Sequence, residues 1–152
     1  MKRMFLITAI ALFCSISAFA QNTNGTPETK EKTLYERLGG YDALAAVSDD
    51  FITRLAASKL LGRFVVGLSD DSKKKLRQHF VEFLCNAAGG SCVYMGRDMK
   101  TSHKGLGITE EDWKESIKLL VETLDKFKVP EKEKDEVLAA VGSLKKDIVE
   151  KK

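Results

Sequence analysis

Histidine, cysteine and the short motifs of common enzyme classes are scarce in this sequence. Its 152 residues include only two histidines and three cysteines. Three cysteines allow one disulfide at most, which excludes a small disulfide-stapled scaffold. The chain also has no GxSxG elbow, P-loop, HExxH helix or CxxC pair. The sequence therefore gives no support for the hydrolases, nucleotide-binding proteins, zinc proteases and thiol oxidoreductases that those motifs indicate.

The N-terminus has the pattern of a secretory signal peptide. Lys2 and Arg3 precede an apolar run over residues 4–13, and the small-residue site Ala18-Phe19-Ala20 follows. The apolar run is too short for a membrane-spanning helix, and a signal-peptidase-like cleavage site follows it. We therefore predict a signal peptide over residues 1–20, export to the periplasm or out of the cell, and no stable membrane insertion of the mature chain.

Removal of this signal peptide leaves little net charge. It takes away two cations and no anions, so 25 basic and 22 acidic residues become 23 − 22, or +1, over 152 − 20 = 132 residues. A chain with so little net positive charge has no basic footprint for nucleic acid. The polar residues 21–32 predict a flexible leader, and residues 33–152 then form one domain of ordinary size.

Two cysteines remain after signal removal, and export places both in an oxidising compartment. Cys85 and Cys92 lie seven positions apart on either side of Gly89-Gly90, which lets the chain turn back between them. The distance between two Cα atoms cannot be read from a sequence. A disulfide and a pair of free thiols therefore both remain open.

Apolar residues recur at three- and four-residue spacing with no sustained alternation, which predicts an all-α domain. Capping signals place the helix starts, and glycine pairs place several ends. The predicted helices are a short one opened by Thr33 and Glu36, one over residues 41–57, one from Ser69 or Asp70 to Gly89-Gly90, a short one within residues 91–107, one from Thr109 to Phe127, and a last one from Pro130 with Val137, Val141, Leu144 and Ile148 on one face.

His79 and His103 are the candidates for acid–base or metal chemistry. Taken alone, each is more readily an ordinary polar side chain near a helix surface. The carboxylate pairs do not add an acid–base dyad, because they are expected at helix starts or on exposed turns, where they stabilise the helix dipole. These pairs are Asp49-Asp50, Asp70-Asp71 and Glu110-Glu111.

Taken together and in order, the motifs of residues 33–150 closely resemble the truncated haemoglobins, and most of all their first group. The motifs are Thr33-Leu34-Tyr35-Glu36-Arg37-Leu38-Gly39-Gly40, Phe51, Phe83-Leu84, Ala88-Gly89-Gly90, Tyr94-Met95-Gly96-Arg97-Asp98-Met99, His103-Lys104-Gly105-Leu106-Gly107-Ile108, Trp113, Val129-Pro130 and Asp147-Ile148-Val149. Any one of them is weak, but the ordered set is specific.

The resemblance implies a truncated globin-like two-over-two helical sandwich that encloses a b-type haem. It implies His103 as the ligand to the iron, carried on a short flexible segment, since neutral imidazole is a good axial ligand. The pocket of a flat porphyrin needs apolar and aromatic walls. The expected wall residues are Phe51, Ile52, Phe64, Leu76, Phe80, Phe83 and Met99, with His79 near the iron and Arg97 or Lys104 at the propionates.

On the distal side this chain departs from its relatives. Family members that oxidise nitric oxide carry a tyrosine after the phenylalanine of the second helix and a glutamine on the third. Here Ile52 follows Phe51, and Phe80 holds the glutamine position. Without a hydrogen-bond donor, dioxygen loses about 1–3 kcal/mol of stabilisation relative to carbon monoxide or nitric oxide. Nitric oxide dioxygenase or peroxidase-like activity therefore stays uncertain.

Three functions remain open at this point. The first is a haem protein that binds a diatomic gas, namely dioxygen, nitric oxide or carbon monoxide. The second is a bis-histidine electron-transfer or redox-sensing haem protein with an electron donor, since His79 matches a position that supplies a second iron ligand in some relatives. The third is a helical interaction module without haem, against which His103 argues.

Overall fold

The computed structural model describes residues 31–151, and the regular secondary structure of these residues is helical. The helices are α1 (Leu34–Arg37), α2 (Gly40–Ala57), a 3₁₀ turn (Gly62–Phe64), α3 (Asp70–Ala87), α4 (Met99–His103), α5 (Glu110–Lys126), α6 (Glu131–Gly142) and α7 (Lys145–Ile148). The described part of the chain contains no β-strand beyond a single bridge between Thr109 and Lys151. The all-α prediction is therefore confirmed, while the predicted signal peptide lies outside the described residues.

Local capping signals start the helices where the sequence predicts. Thr33 and Glu36 form a capping box before α1, and Thr109 and Asp112 form another before α5. Ser69 caps α3 by accepting a hydrogen bond from the Ser72 amide. Such caps satisfy backbone amides that the first helical turn leaves without partners. Among the described helices, none is long and apolar enough to cross a membrane.

The prediction of one uninterrupted last helix is wrong. The chain leaves the helix at Gly142, and α7 begins only at Lys145. Glycine and serine both have a lower helix propensity than alanine. The Ser143 hydroxyl also donates a hydrogen bond to the Ala140 carbonyl at 2.7 Å, and such local side-chain bonds compete with helix continuation. The break allows α7 to pack against α4.

The core lies where α2 packs against α5, next to the 3₁₀ turn. Its buried side chains are Val47, Phe51, Leu61, Leu119, Leu120 and Leu124. The hydroxyls of Ser48 and Thr123 are also buried, and each donates to the backbone carbonyl four residues earlier. The polar groups inside this apolar core are thereby satisfied. On its other side α2 packs against α3.

The carboxylate pair Asp49-Asp50 is not at a helix start, which corrects the expectation. Both residues lie within α2, and their carboxylates pair with cations of α2 and of other helices. Asp49 pairs with Arg77 of α3, and Asp50 pairs with Arg54 and with Lys126 of α5. Asp70-Asp71 and Glu110-Glu111 do occupy first helical turns, as predicted.

Cys85 and Cys92 form a disulfide with their Cα atoms 5.8 Å apart. Of the two alternatives left open by the sequence, the bridge is the one observed. It ties the end of α3 to the loop that leads to α4. Gly90 is required there, because a Cβ atom at this position would lie 2.7 Å from both the Cys85 sulfur and the Tyr35 ring.

Candidate functional site

His103 is the last residue of α4, a short helix that Asp98 caps. The Asp98 carboxylate accepts from the Thr101 amide at 2.8 Å and from its hydroxyl at 2.7 Å. These hydrogen bonds hold the pKa of Asp98 below its ordinary value, so the cap is charged at neutral pH. A charged cap fixes the start of a helix that is too short to be stable by itself.

The imidazole of His103 has one nitrogen committed and one free to bind a metal. Its Nδ1 atom lies 2.7 Å from the Met99 carbonyl oxygen. A carbonyl oxygen only accepts hydrogen bonds, so Nδ1 must carry the proton. The lone pair is then on Nε2, which is the arrangement that metal-binding histidines use. The ring is partly buried, and its rotation is fixed by the Met99 contact.

One face of α3 carries aromatic and aliphatic side chains that are only partly buried. Phe80 stacks on Phe51 with ring centroids 5.4 Å apart. Phe83 meets the edge of Tyr94, with ring centroids 5.5 Å apart. Leu76 lies one turn before Phe80 and is also partly buried. The rest of the protein does not fully cover these apolar side chains, so a bound ligand could contact them.

His79 lies on the same helix, and its ring contacts Glu82 and Tyr94. Its Nδ1 atom is 3.4 Å from the Glu82 carboxylate, and its ring meets Tyr94 with centroids 6.1 Å apart. The Gln78 amide, together with His79, holds the pKa of Glu82 below its ordinary value. The imidazole side chain is 42% exposed.

The sequence singles out Tyr94 only as part of a motif. Its ring contacts Phe83 and His79, and its hydroxyl donates to the Arg97 carbonyl at 2.7 Å. Burial raises the pKa of the Tyr94 phenol, so it remains protonated and able to donate. Tyr94 thereby joins α3 to the segment that starts α4. An aromatic residue in a glycine-rich loop is the signal that could have singled it out.

The predicted wall residues are distributed over several elements. Ile52, Phe64 and Met99 are partly buried, as are the three apolar residues of α3. Phe51 differs, because it is only 7% exposed and belongs to the core. Phe51 therefore packs against Phe80 from the core side and is not itself an exposed wall residue. Arg97 and Lys104 are exposed on either side of α4, where charged groups remain hydrated.

These residues fit a haem better than a bare metal ion. Within residues 31–151 no group of three or more His, Cys, Asp or Glu side chains is placed to hold an ion. A haem brings its own four nitrogen ligands and needs one imidazole from the protein. His103, whose Nε2 atom is free to bind a metal, and the partly buried apolar side chains of α3 meet that requirement. In the described residues, α4 packs against α7 and not extensively against α3.

An apolar cavity of about 360 Å³ lies on the core side of α3. Leu44 and Val47 of α2, Leu84 of α3, Leu120 of α5 and Val137 of α6 are among the residues that line it. Phe83 also borders this cavity, so one side chain contacts both the cavity and Tyr94. His103 does not line it.

Comparisons with known proteins agree with this architecture. Residues 33–150 match the family model described as bacterial-like globin. A group 1 truncated haemoglobin of Mycolicibacterium paratuberculosis is 33% identical over 76% of this chain and 83% of its own length. One from Synechocystis is 35% identical over 73% of this chain and 90% of its own.

Solved structures show the same fold. The truncated haemoglobin of Tetrahymena pyriformis in its Fe(III) form has a TM-score of 0.71 at 25% identity and covers 78% of this chain and 98% of its own. The 2/2 haemoglobin of a Synechococcus species, in a structure with covalently attached haem, has a TM-score of 0.70 at 30% identity with the same coverages. The predicted two-over-two helical sandwich is confirmed, and the chain belongs to the bacterial-like globins, within the group 1 truncated haemoglobins.

Proposed function

We propose that this truncated globin binds one b-type haem beside α3 and α4, with His103 as its protein ligand, and that it binds diatomic gases. The observation that carries the proposal is the 2.7 Å contact between His103 Nδ1 and the Met99 carbonyl. It fixes the tautomer in which Nε2 can bind iron. The haem, when bound, supplies the iron that takes up the gas.

The other residues of the site hold and shield the group. Leu76, Phe80 and Phe83 provide apolar contact area from α3, and Met99 provides it from α4. An apolar pocket excludes water, which disfavours the loss of a bound cofactor into solvent. Arg97 and Lys104 are exposed near α4, where their charges can meet the propionates.

The distal side favours gases that need no hydrogen-bond donor. Ile52 and Phe80 stand where a tyrosine and a glutamine occur in relatives, and neither side chain can donate a hydrogen bond. A missing donor costs dioxygen about 1–3 kcal/mol. We therefore propose a preference for carbon monoxide or nitric oxide over dioxygen. The cavity beside α3 is lined mostly by apolar side chains, which suits small apolar molecules.

The bis-histidine alternative is not favoured. It needs His79 as a second iron ligand, whereas His79 contacts Glu82 and Tyr94 and is 42% exposed on its side chain. The comparisons are with globins, and none of the cited relatives is described as an electron-transfer protein. A dedicated electron donor is for the same reason not part of the proposal.

We also propose that the protein is exported and works in the periplasm or outside the cell. The signal-peptide pattern of residues 1–20 supports this, and the Cys85–Cys92 disulfide suits an oxidising compartment. Cell fractionation followed by N-terminal sequencing tests it. Export predicts a mature chain beginning at Gln21, and an intact cytoplasmic chain beginning at Met1 contradicts it.

Haem titration of the purified protein tests the central part of the proposal. The chain offers a matched pair, because His79→Ala and His103→Ala each remove one of its two imidazoles. We expect the wild type and His79→Ala to bind one haem per chain with the same spectrum, and His103→Ala to lose that spectrum. An unchanged spectrum in His103→Ala contradicts the assignment of the ligand.

A further inference from the structure

The carboxylate of Glu150 holds the loop that follows His103. Its Oε1 atom accepts from the Gly105 amide at 2.7 Å, and its Oε2 atom accepts from the Gly107 amide at 2.6 Å. Both glycines have left-handed backbones, with φ of +83° and +66°. Only glycine adopts this conformation readily, and it turns both amides towards one anion. The conformation of the loop therefore depends on the Glu150 carboxylate that accepts from both amides.

The same loop is bonded directly to His103. Between the two glycines, the Leu106 amide donates to the His103 carbonyl at 3.2 Å. The three successive amides of residues 105–107 are therefore all engaged, two by Glu150 and one by His103. Glu150 is in this way connected to the backbone of His103 through a single short loop.

The backbone of Glu150 and Lys151 is anchored to the segment that directly follows the loop and begins α5. The Glu150 and Lys151 amides donate to the Ile108 carbonyl at 2.9 and 3.1 Å. The Lys151 carbonyl accepts from the Glu110 amide at 3.2 Å, at the start of α5. Lys145 of α7 pairs with the Glu110 carboxylate at 2.7 Å. These contacts attach residues 150 and 151 to the start of α5.

We infer that Glu150 is a positioning residue that fixes His103 relative to the haem by anchoring the backbone at the end of α4. The inference rests on the proposed haem function. Met99 fixes the rotation of the imidazole ring, and Glu150 fixes the peptide that carries the ring. Groups that orient a metal-binding histidine affect the strength and geometry of its bond to the metal, although they do not touch the metal.

The test compares Glu150→Ala with Asp135→Ala in the full-length haem-loaded protein. Asp135 is an exposed carboxylate on α6 that forms no ion pair or side-chain hydrogen bond within the described residues, so this control makes the same charge change. The first readout is the iron–histidine stretching band in the resonance Raman spectrum of the ferrous protein. The second is the rate of haem transfer to an excess of apomyoglobin.

In Glu150→Ala we expect a shifted and broadened iron–histidine band and haem loss about 10-fold faster, whereas Asp135→Ala matches the wild type. Glu150→Gln keeps one acceptor oxygen, so its iron–histidine band and its rate of haem loss should lie between those of Glu150→Ala and the wild type. Wild-type values in Glu150→Ala, or equal changes in Asp135→Ala, overturn the inference. Failure of the wild type to bind haem, or to show an iron–histidine band, overturns the proposed function instead.

Discussion

The imidazole of His79 meets the ring of Tyr94 nearly at a right angle, with an interplanar angle of 80° and centroids 6.1 Å apart. Tyr94 is in turn fixed by its hydrogen bond to the Arg97 carbonyl. This contact, together with Glu82, gives His79 partners on the surface of α3. To reach the iron, His79 would have to leave both of them.

The first prediction follows from these contacts. His79→Leu should leave the absorption spectrum of the ferric haem protein unchanged, because His79 is not a ligand in the resting state. The measurement is the absorption spectrum of the ferric protein at neutral pH, compared between the wild type and His79→Leu. A low-spin spectrum in the wild type that becomes high-spin in His79→Leu contradicts this prediction.

A second prediction concerns acid stability. Asp50 accepts from Arg54 Nε at 2.7 Å and also pairs with Lys126, and these hydrogen bonds lower its pKa from the ordinary 3.8 to about 2. Because the folded pKa lies below the unfolded one, the stabilisation is complete above about pH 4 and is lost as the pH falls towards 2.

Asp50→Asn should therefore lower the free energy of unfolding by about 1–2 kcal/mol at pH 7, and the difference from wild type should shrink below pH 4. Urea unfolding of the haem-free protein at several pH values measures this. Asp135→Asn, which changes an exposed carboxylate of α6, is the control. A deficit in Asp50→Asn that stays constant down to pH 2 shows that the ion pairs are not its cause.

The third prediction concerns the disulfide. Reduction of Cys85–Cys92, which closes a loop with a sequence separation of 7, should lower the free energy of unfolding by about 2–3 kcal/mol. Thermal unfolding of the haem-free protein with and without a thiol reductant measures it. A variant with both cysteines changed to alanine should be insensitive to the reductant. Equal melting temperatures of the wild type with and without reductant argue against a stabilising bridge.

How much the sequence predicts depends on the range of the interactions involved. The starts of α1 and α5 follow from Thr33 with Glu36 and from Thr109 with Asp112, since each capping box needs only four adjacent residues. The alignment of motifs with a known family places His103, but the Met99 contact that fixes its tautomer becomes visible only in the folded α4.

Interactions over long sequence distances escaped prediction. Glu150 meets Gly105 and Gly107 across separations of 45 and 43 residues, and no local pattern announces a carboxylate at that loop. The end of α6 at Gly142 was missed because the apolar spacing continues through Leu144 and Ile148. Packing of α7 against α4 favours the break, and that contact is tertiary.

The most direct test of the account is a carbon monoxide titration of the ferrous haem protein, followed by absorption. If His103 holds the iron and Ile52 and Phe80 leave the gas-binding side apolar, one carbon monoxide should bind per haem in a single kinetic phase. The rate of binding should be the same in the wild type and in His79→Leu. A ferrous protein that remains six-coordinate and takes up carbon monoxide only slowly, or not at all, until His79 is removed would contradict the account.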